Sequence, residues 1–403
     1  MLKKIRIDQL KPGMFVHDLN CNWTDHPFLR NRFLVGGDKD VQRIRDAAVK
    51  ELYIDTARGG DVADAPTREE VIAELDREMA AAAQGPAAPV RHSVAAEMAR
   101  AQAVHRQAHR VVRSVMQDVR LGRAVQLEQV EPVVENITSS ILRNSGALLS
   151  LCLIKNKDDY TFLHSVSVCT LMVAFCRSVG MDADTIRQAG IGGLLHDTGK
   201  MMVPDAILNK PGRLTDEEFA LIKRHPEEGY AVLVRTPGIG EMPLDITLHH
   251  HERMDGSGYP KSLPGESITT LAQMAAIVDV YDAITSDRCY HKGMAPTEAL
   301  RKIFEWSKFH FNPQLVQAFL RCIGIYPVGT LVLLESGRLG VVTEQNEAQL
   351  LQPRVKVFFS TKSNAYIKPE EIDLSRPMGK GGADRIVGHE APEKWRVDPA
   401  RFL

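Results

Sequence analysis

The 403-residue sequence has few cysteines, almost no net charge and no long apolar run. Its six cysteines are scattered without a C-x-x-C pair, so a disulfide framework is not indicated and we expect buried, reduced thiols. Fifty basic side chains against 51 acidic ones leave a formal charge of −1. Because proteins that bind nucleic-acid polymers by charge attraction carry an excess of positive charge, we expect no such partner.

Segments of membrane-spanning length are lacking as well. Polar residues interrupt each apolar stretch before the about 18–20 residues that a bilayer requires, and no apolar signal-peptide core follows residues 1–6. The sequence therefore predicts a cytoplasmic protein without a membrane span. Its content of 44% hydrophobic and 25% charged residues is typical of globular domains.

The periodicity of apolar residues divides the chain into five segments. Residues 1–62 alternate in the strand period and contain turn residues, which predicts a small α+β domain. Residues 63–125 contain a linker and helices, 126–325 an all-helical domain, 326–375 a small β appendage and 376–403 a polar tail. We therefore predict a mainly α protein with a small α+β N-terminal domain and a short β-rich C-terminal appendage.

Local signals place several elements. Thr67 with Glu70, and Thr215 with Glu218, have the spacing of helix-capping boxes. One apolar-rich helix is expected over about 130–154. A turn at 335–338 separates two segments of strand character, which predicts a hairpin.

An apolar stripe marks one face of the helix expected before residue 120. Its members recur at helical spacing, with Arg and Gln on the opposite face: Val104, Ala108, Val111, Val112, Val115 and Val119. Two explanations are open, namely packing on the next domain and the contact surface of a homodimer.

Five histidines stand among other residue types that bind metals: His164, His196, His225, His250 and His251. Asp197 follows His196 at the end of an apolar helix, and Asp279 lies inside another. An isolated buried carboxylate is costly, so it needs a partner such as a metal ion. Imidazole together with carboxylate suits Fe, Mn, Zn or Ni in an open catalytic site. We therefore predict a metal centre that performs acid-base chemistry.

The sequence around residues 249–260 supports this prediction. His250 and His251 are neighbours, and both can reach inward only near a helix end. The segment Asp255-Gly256-Ser257-Gly258-Tyr259-Pro260 is a sharp turn, which would bring Tyr259 close to the metals.

These residues stand in the order of a known family. The chain resembles the HD-GYP branch of the HD phosphohydrolase superfamily in His164, His196-Asp197-Thr198-Gly199-Lys200, His225-Pro226, His250-His251-Glu252, Asp255-Gly256-Ser257-Gly258-Tyr259-Pro260 and Asp279-Val280-Tyr281-Asp282-Ala283. Residues 1–60 resemble a small domain of unassigned function that is joined to HD-GYP in some bacterial proteins.

The resemblance implies an all-helical HD-type catalytic domain that hydrolyses cyclic di-GMP to pGpG, and in some members onward to GMP. It implies two divalent metal ions, with Fe and Mn expected and Ni or Zn also compatible. The metal ligands carried over are His164, His196, Asp197 and Asp279 for one ion, and His225, His250 and His251 for the other, with Asp197 bridging. A hydroxide between the metals would attack phosphorus.

The resemblance also suggests residues that act on the substrate. Asp197 and Lys200 are expected to be catalytic, with the Lys200 ammonium offsetting charge on a phosphate oxygen. Tyr259 and Arg288 are either substrate contacts or structural anchors. The family's common Arg-Pro-Tyr-Arg stretch reads Arg288-Cys289-Tyr290-His291 here, so Lys292 is the candidate for its final basic contact.

Two further features of the sequence bear on the metals. Some relatives carry a Glu, as ligand of a third metal, where this chain has Tyr160, so a binuclear site is expected. Glu252 and Asp255 are candidates for orienting the ligand histidines.

Two other functions remain as alternatives. One is a catalytically idle signalling module that binds a cyclic di-nucleotide or a protein partner. The other is a phosphohydrolase of different nucleotides, cyclic GMP-AMP among them. The N-terminal helices are candidates for regulating activity, through a homodimer or through signalling protein partners.

Overall fold

The computed structural model describes residues 1–21, 32–82, 93–153, 160–210, 212, 214–286, 293–346, 349–376 and 384–402. The chain divides into two compact units: Met1–Glu78 with Arg213–Phe219, and Met79–Gly212 with Ala220–Leu403. The Ala-, Gly- and Pro-rich run at residues 80–89, which predicts the linker, lies mostly outside the described residues. Within them, no helix is long and apolar enough to cross a membrane.

The first unit contains a small antiparallel sheet and a helix, as the strand period predicted. Its strands β1 (Leu2–Arg6), β2 (Phe15–Asp18), β3 (Phe33–Leu34) and β4 (Glu51–Asp55) lie in the order β1-β4-β2-β3. Helix α1 (Asp38–Asp46) buries Val41 and Ile44 in the same apolar cluster as Ile54 of β4. Helix α2 (Arg68–Ala82) follows. It begins with the predicted capping box, in which Glu70 N–H donates to Thr67 Oγ1 at 3.2 Å and Thr67 N–H donates to Glu70 Oε2 at 2.8 Å.

The helices that follow are α3 (Val94–Arg120), α4 (Leu127–Arg143), α5 (Ser145–Leu153), α6 (Tyr160–Ser178), α7 (Ala183–Leu195), α8 (Asp205–Leu208), α9 (Asp216–Ile222), α10 (His225–Leu233), α11 (Glu241–His249), α12 (Thr270–Thr285), α13 (Pro296–Trp306) and α14 (Pro313–Ile323). A 3-10 segment, Thr198–Met202, joins α7 to α8. Buried apolar residues from α3 to α14 form one continuous core. The all-helical character predicted for this part of the chain is confirmed.

The apolar stripe of α3 packs inside the second unit. Ala108, Val112, Val115 and Val119 are buried in the core that α4 and α6 also line. The packing explanation therefore accounts for this face, which is not exposed as a dimer surface.

The prediction of a single helix over about 130–154 is wrong, because the structure has two helices there. Asn144 has an extended backbone between α4 and α5, and its Oδ1 accepts a hydrogen bond from Ala147 N–H at 3.3 Å. The preceding residue, Arg143, pairs with buried Glu97 of α3, with Nη2 to Oε1 at 2.7 Å. Tertiary pairing thus holds the last residue of α4, and Asn144 caps the first turn of α5, so the apolar stretch is divided into two helices.

A five-stranded antiparallel sheet forms the C-terminal part. Its strands are β5 (Leu331–Leu334), β6 (Arg338–Glu344), β7 (Arg354–Ser360), β8 (Ala365–Asp373) and β9 (Ile386–His389), in the order β8-β7-β6-β5-β9. The predicted hairpin is β5-β6. The segment interpreted only as a polar tail supplies β9, the short helix α15 (Pro392–Trp395) and Phe402, which stacks on Phe358 with ring centroids 3.9 Å apart.

Candidate metal centre

The candidate metal-binding side chains lie mainly at helix ends. His196 and Asp197 follow the buried C-terminal half of α7, His225 begins α10, and His250 and His251 directly follow α11. Consecutive side chains inside a helix point about 100° apart, but beyond a helix end they can point the same way. His250 and His251 therefore both reach the same region, as the sequence indicated. His164 and Asp279 reach it from the interior of α6 and α12.

Gly199 allows the 3-10 segment to approach α10 backbone to backbone. A Cβ atom at this position would lie 2.0 Å from the His225 carbonyl oxygen and 2.4 Å from Gly229 N. No side chain fits there, which explains the glycine in the His196-to-Lys200 motif.

Two trios of these side chains come together. The potential ligand atoms of His164, His196 and Asp279 lie within 4.8 Å of one another, as do those of His225, His250 and His251. Within the first trio, His164 Nε2 is 3.0 Å from Asp279 Oδ1.

Asp197 lies between the two trios. Its Oδ2 is 3.3 Å from His196 Nε2, and its Oδ1 is 3.4 Å from His225 Nε2. This carboxylate is only 1% exposed. A group that faces both trios with different oxygens has the geometry of a bridging ligand.

Backbone carbonyls fix the orientation of three imidazoles. Nδ1 of His196, His225 and His250 lies 2.9, 2.7 and 3.0 Å from the carbonyl oxygens of Gly193, Ile222 and Thr247, respectively. A carbonyl oxygen can only accept a hydrogen bond, so Nδ1 carries the proton that it donates and the ring presents Nε2 to the centre.

His164 is oriented by a side chain instead. Its Nδ1 lies 2.7 Å from Oδ2 of Asp282 on α12, and both residues are buried. The sequence analysis quoted Asp282 within a motif but assigned it no role. Its position one helical turn after Asp279 was the available signal, because residues three apart on a helix share a face.

Burial and neighbouring charges shift the pKa values of the side chains at the centre. Burial lowers the pKa of His225 to about 4 and that of His250 to about 3, with nearby cations adding to the effect. Burial alone would lower the pKa of His196, but the Asp197 and Asp279 carboxylates outweigh it and raise the value to about 10. Burial would raise the pKa of Asp197, yet His196 and Lys200 hold it well below its usual range.

The unsatisfied atoms of the centre fit a cation. His225 and His250 are neutral with Nδ1–H bound to carbonyls, so their Nε2 lone pairs face each other across 3.2 Å. Among the described residues, neither His196 Nε2 nor Asp197 Oδ1 has a hydrogen-bond partner. Lone pairs at this separation repel one another unless a cation lies between them, and imidazole with carboxylate is the donor set of first-row metals. The chain therefore has His/Asp groups that can hold metal.

Lys200 contacts the centre through Asp197. Its Nζ lies 2.6 Å from Asp197 Oδ2, and the side chain keeps 20% of its surface exposed. The ammonium thus stands at the edge of the centre with hydrogen atoms left for a further acceptor.

Tyr259 lies beside the second trio, as the turn sequence indicated. Its ring stacks on that of His251 with centroids 4.6 Å apart and an interplanar angle of 25°. Lys223 Nζ stands 5.3 Å from the centroid of the Tyr259 ring. The Tyr259-Pro260 peptide bond is cis. The Tyr259 ring therefore forms one wall of the centre, next to the Lys223 ammonium.

Glu252 holds the loop that carries Tyr259. Its carboxylate accepts hydrogen bonds from the backbone N–H groups of Lys261 at 2.7 Å and Leu263 at 3.0 Å. Asp255 accepts from Ser257 N–H at 3.1 Å within the same loop. Both carboxylates thus bind nearby backbone, and the expectation that they orient ligand histidines stays a prediction. A carboxylate this close to backbone donors in a tight turn satisfies them first.

The structure does not describe the remaining residues that the sequence predicts for the site. Arg288, Lys292 and the Arg288-to-His291 stretch are not among the described residues, and the side chain of Tyr160 is not described. Their proposed roles stay predictions. Of the six cysteines, Cys21, Cys152, Cys169, Cys176 and Cys322 are described, and all five are free thiols.

Comparison with known proteins gives matches to both parts of the chain. An HD domain model matches residues 150–315, and a domain of unknown function (DUF3391) matches residues 2–130. A cyclic di-GMP phosphodiesterase of Pseudomonas aeruginosa is 46% identical over 396 residues, covering 98% of this chain and 94% of that protein. The 3'3'-cGAMP-specific phosphodiesterase 1 of Vibrio cholerae is 34% identical, over 39% of this chain and 36% of its own length.

Among solved structures, Bd1817, a HDG"Y"P protein from Bdellovibrio bacteriovorus, matches with a TM-score of 0.47 and 20% identity, covering 79% of this chain and 98% of that one. The relative from Pseudomonas aeruginosa is covered almost from end to end, and the motifs of the centre lie inside the HD domain match. The chain belongs to the HD-GYP family of HD-domain phosphodiesterases.

Proposed function

We propose that this protein hydrolyses cyclic di-GMP to pGpG at a binuclear metal centre. The observation that carries the proposal is the pair of trios, one of two histidines and an aspartate and one of three histidines, with the Asp197 carboxylate between them. The name of the 46% identical relative supports the choice of substrate.

The division of ligands follows the two trios. His164, His196 and Asp279 would hold one ion, His225, His250 and His251 the other, and Asp197 would bridge them. Two divalent ions held by these residues would supply a hydroxide nucleophile at neutral pH and positive charge for a phosphodiester.

The chain's own residues would orient the substrate around this centre. The Lys200 ammonium, fixed by Asp197, is placed to donate to a non-bridging phosphate oxygen. The Tyr259 ring and the nearby Lys223 ammonium form a wall on which a purine can stack and a phosphate can be neutralised.

All seven candidate ligands are present and face one another, which favours an enzyme over an idle binding module. The test is anaerobic incubation of the metal-quantified full chain with cyclic di-GMP and Mn²⁺ or Fe²⁺, followed by chromatography of the nucleotides. We expect two metals per chain and the appearance of pGpG, and the same chromatograms show whether GMP follows. Asp197→Ala should abolish turnover, whereas Asp398→Ala, at an exposed carboxylate near the C-terminus, should not.

Two results would contradict the proposal. Full metal loading of the wild-type chain without any turnover would identify a binding module. A higher kcat/KM for 3'3'-cGAMP, measured in parallel, would replace the substrate with the one named for the 34% identical relative.

A further inference from the structure

The loop between α11 and α12 closes back on the segment that carries His250 and His251. Tyr259 N–H donates a hydrogen bond to the His251 carbonyl oxygen at 3.2 Å. A Cβ atom at Gly258 would lie 2.4 Å from Arg253 N, so only glycine permits this approach of the backbone to itself. The ring of Tyr259 thereby comes to lie against a candidate metal ligand.

Glu252 is the buried residue at the base of this loop. It directly follows His251 and is only 2% exposed. Its two carboxylate oxygens accept from different backbone groups, Oε1 from Lys261 N–H at 2.7 Å and Oε2 from Leu263 N–H at 3.0 Å. One side chain thus joins the start of the loop to the stretch that follows Tyr259. Hydrogen bonds to an ionised acceptor are stronger than those to a neutral one, so this carboxylate fixes the loop backbone firmly.

A second carboxylate also contacts the loop, but at the surface. Glu227 of α10 places its Oε1 2.9 Å from Lys261 Nζ, and both side chains are about half exposed. Solvent-exposed ion pairs contribute little to stability, whereas removal of a buried acceptor leaves its donors unsatisfied. Of the two carboxylates, Glu252 therefore contributes more to holding the loop.

We propose that Glu252 is a positioning residue for the substrate, which acts by holding the Tyr259 ring against His251. With the carboxylate in place, the ring forms the wall on which a purine stacks. Without it, the loop loses both buried acceptors and the ring leaves this position. The inference rests on the proposed function, because it requires a purine of the substrate to contact Tyr259. It differs from an orienting role toward the ligand histidines, since that role would change metal binding.

The test compares two Glu→Gln variants of the full-length chain. Glu252→Gln keeps the volume of the side chain but leaves one acceptor oxygen for two N–H donors, whereas Glu227→Gln removes only the exposed ion pair. We expect Glu252→Gln to raise KM for cyclic di-GMP about five- to tenfold, at the lower end of what base–aromatic stacking contributes. Its kcat and its metal content per chain should stay as in wild type. Glu227→Gln, the matched control, should leave all three quantities unchanged.

A double-mutant cycle with Tyr259→Leu shows whether Glu252 acts through the ring. Tyr259→Leu alone should raise KM about tenfold. In that background Glu252→Gln should raise KM by less than about twofold, because the ring that it positions is gone. Effects that multiply in the double variant would overturn the inference, as would an unchanged KM or a loss of metal in Glu252→Gln. Glu252→Asp, which keeps two acceptor oxygens, should lie between wild type and Glu252→Gln, and it carries the test where Glu252→Gln does not fold.

Calorimetric titration of the same metal-free proteins with cyclic di-GMP applies the cycle without turnover. Losses of affinity that do not multiply, in a protein that hydrolyses nothing, would contradict the proposed function and support the role of Glu252. Turnover combined with effects that multiply would do the reverse. A wild-type chain that neither hydrolyses nor binds cyclic di-GMP would overturn both.

Discussion

Asp197 divides its two oxygens between different partners. Oδ2 faces His196 and Lys200, whereas Oδ1 faces His225 at 3.4 Å and His250 at 4.0 Å. The sequence could single out this residue as a carboxylate at the end of an apolar helix. The division of its oxygens depends on where α10 and α11 end in space, which no local pattern encodes.

Asp282 is expected to be a positioning residue for His164. Asp282→Ala should weaken Mn²⁺ binding by about 10- to 100-fold, because His164 Nδ1 loses the acceptor that fixes its ring. Asp282→Asn keeps an acceptor oxygen and should recover most of the affinity. Metal titration of the purified variants measures the effect, and equal affinity in Asp282→Ala and wild type would contradict this role.

Lys200 is expected to act on the substrate. Lys200→Met should lower kcat by about 10²- to 10³-fold, since the ammonium beside Asp197 no longer offsets charge in the transition state. Metal content should stay unchanged. Lys368→Met, on exposed β8, is the matched control and should leave kcat unaltered. A variant that loses its metal together with its activity would show instead that Lys200 holds Asp197 in place.

At the scale of elements, features that depend on residues close in the sequence could be predicted, whereas features that depend on tertiary contacts could not. The Thr215-Glu218 capping box forms as its spacing indicated, with Glu218 N–H donating to Thr215 Oγ1 at 3.2 Å. The end of α4 at Asn144 could not be predicted, because it depends on the pairing of Arg143 with a residue of α3. The strand β9, Ile386–His389, is too short to stand out in the polar C-terminal segment and forms by pairing with β5.

The contact between α3 and α4 predicts a pH dependence of stability. Arg143 outweighs burial and lowers the pKa of Glu97 below its usual 4.5, with Ser140 donating a further hydrogen bond. A carboxyl with a lowered folded-state pKa stabilises the protein above its unfolded pKa, and this contribution is lost as the pH falls through the folded-state value. The free energy of unfolding should therefore decrease below about pH 4.5.

Glu97→Gln tests this contribution. At pH 7 the variant should lose about 1–3 kcal/mol of unfolding free energy, since the Arg143 guanidinium then pairs with a neutral amide in place of a carboxylate. Its stability should change less between pH 7 and pH 4 than that of the wild type. Urea unfolding at both pH values measures the difference, with Glu128→Gln on the exposed face of α4 as control. An identical pH profile in Glu97→Gln and wild type would exclude the pair as the cause.

At the scale of the whole molecule, the seven candidate ligands all lie in the second unit. Their order in the sequence was enough to indicate the family, because the motif positions are fixed along the chain. The limits of the second unit were harder to predict, since α3 looked like part of a linker region. Its buried residues Ala108, Val112 and Val115 belong to the helical core.

Removal of residues 1–78 should leave a folded, metal-binding protein. The remaining chain keeps α3, its continuous helical core and every candidate ligand. Metal per chain, thermal unfolding and mass in solution are the measurements, with full-length protein alongside. Removal up to residue 125 should instead destabilise the fold, because it deletes the buried face of α3. Lost metal binding in the shorter deletion would show that the first unit supports the centre.

The two trios also differ in how far apart their members stand along the chain. His225, His250 and His251 come from one short stretch joined by α10 and α11, and the orienting carbonyls of His225 and His250 lie on the same stretch. The partners of His164, Asp279 and Asp282, lie more than 100 residues further along the chain and are translated later. During synthesis on the ribosome, one half of the centre can therefore assemble before the residues that complete the other half have been translated.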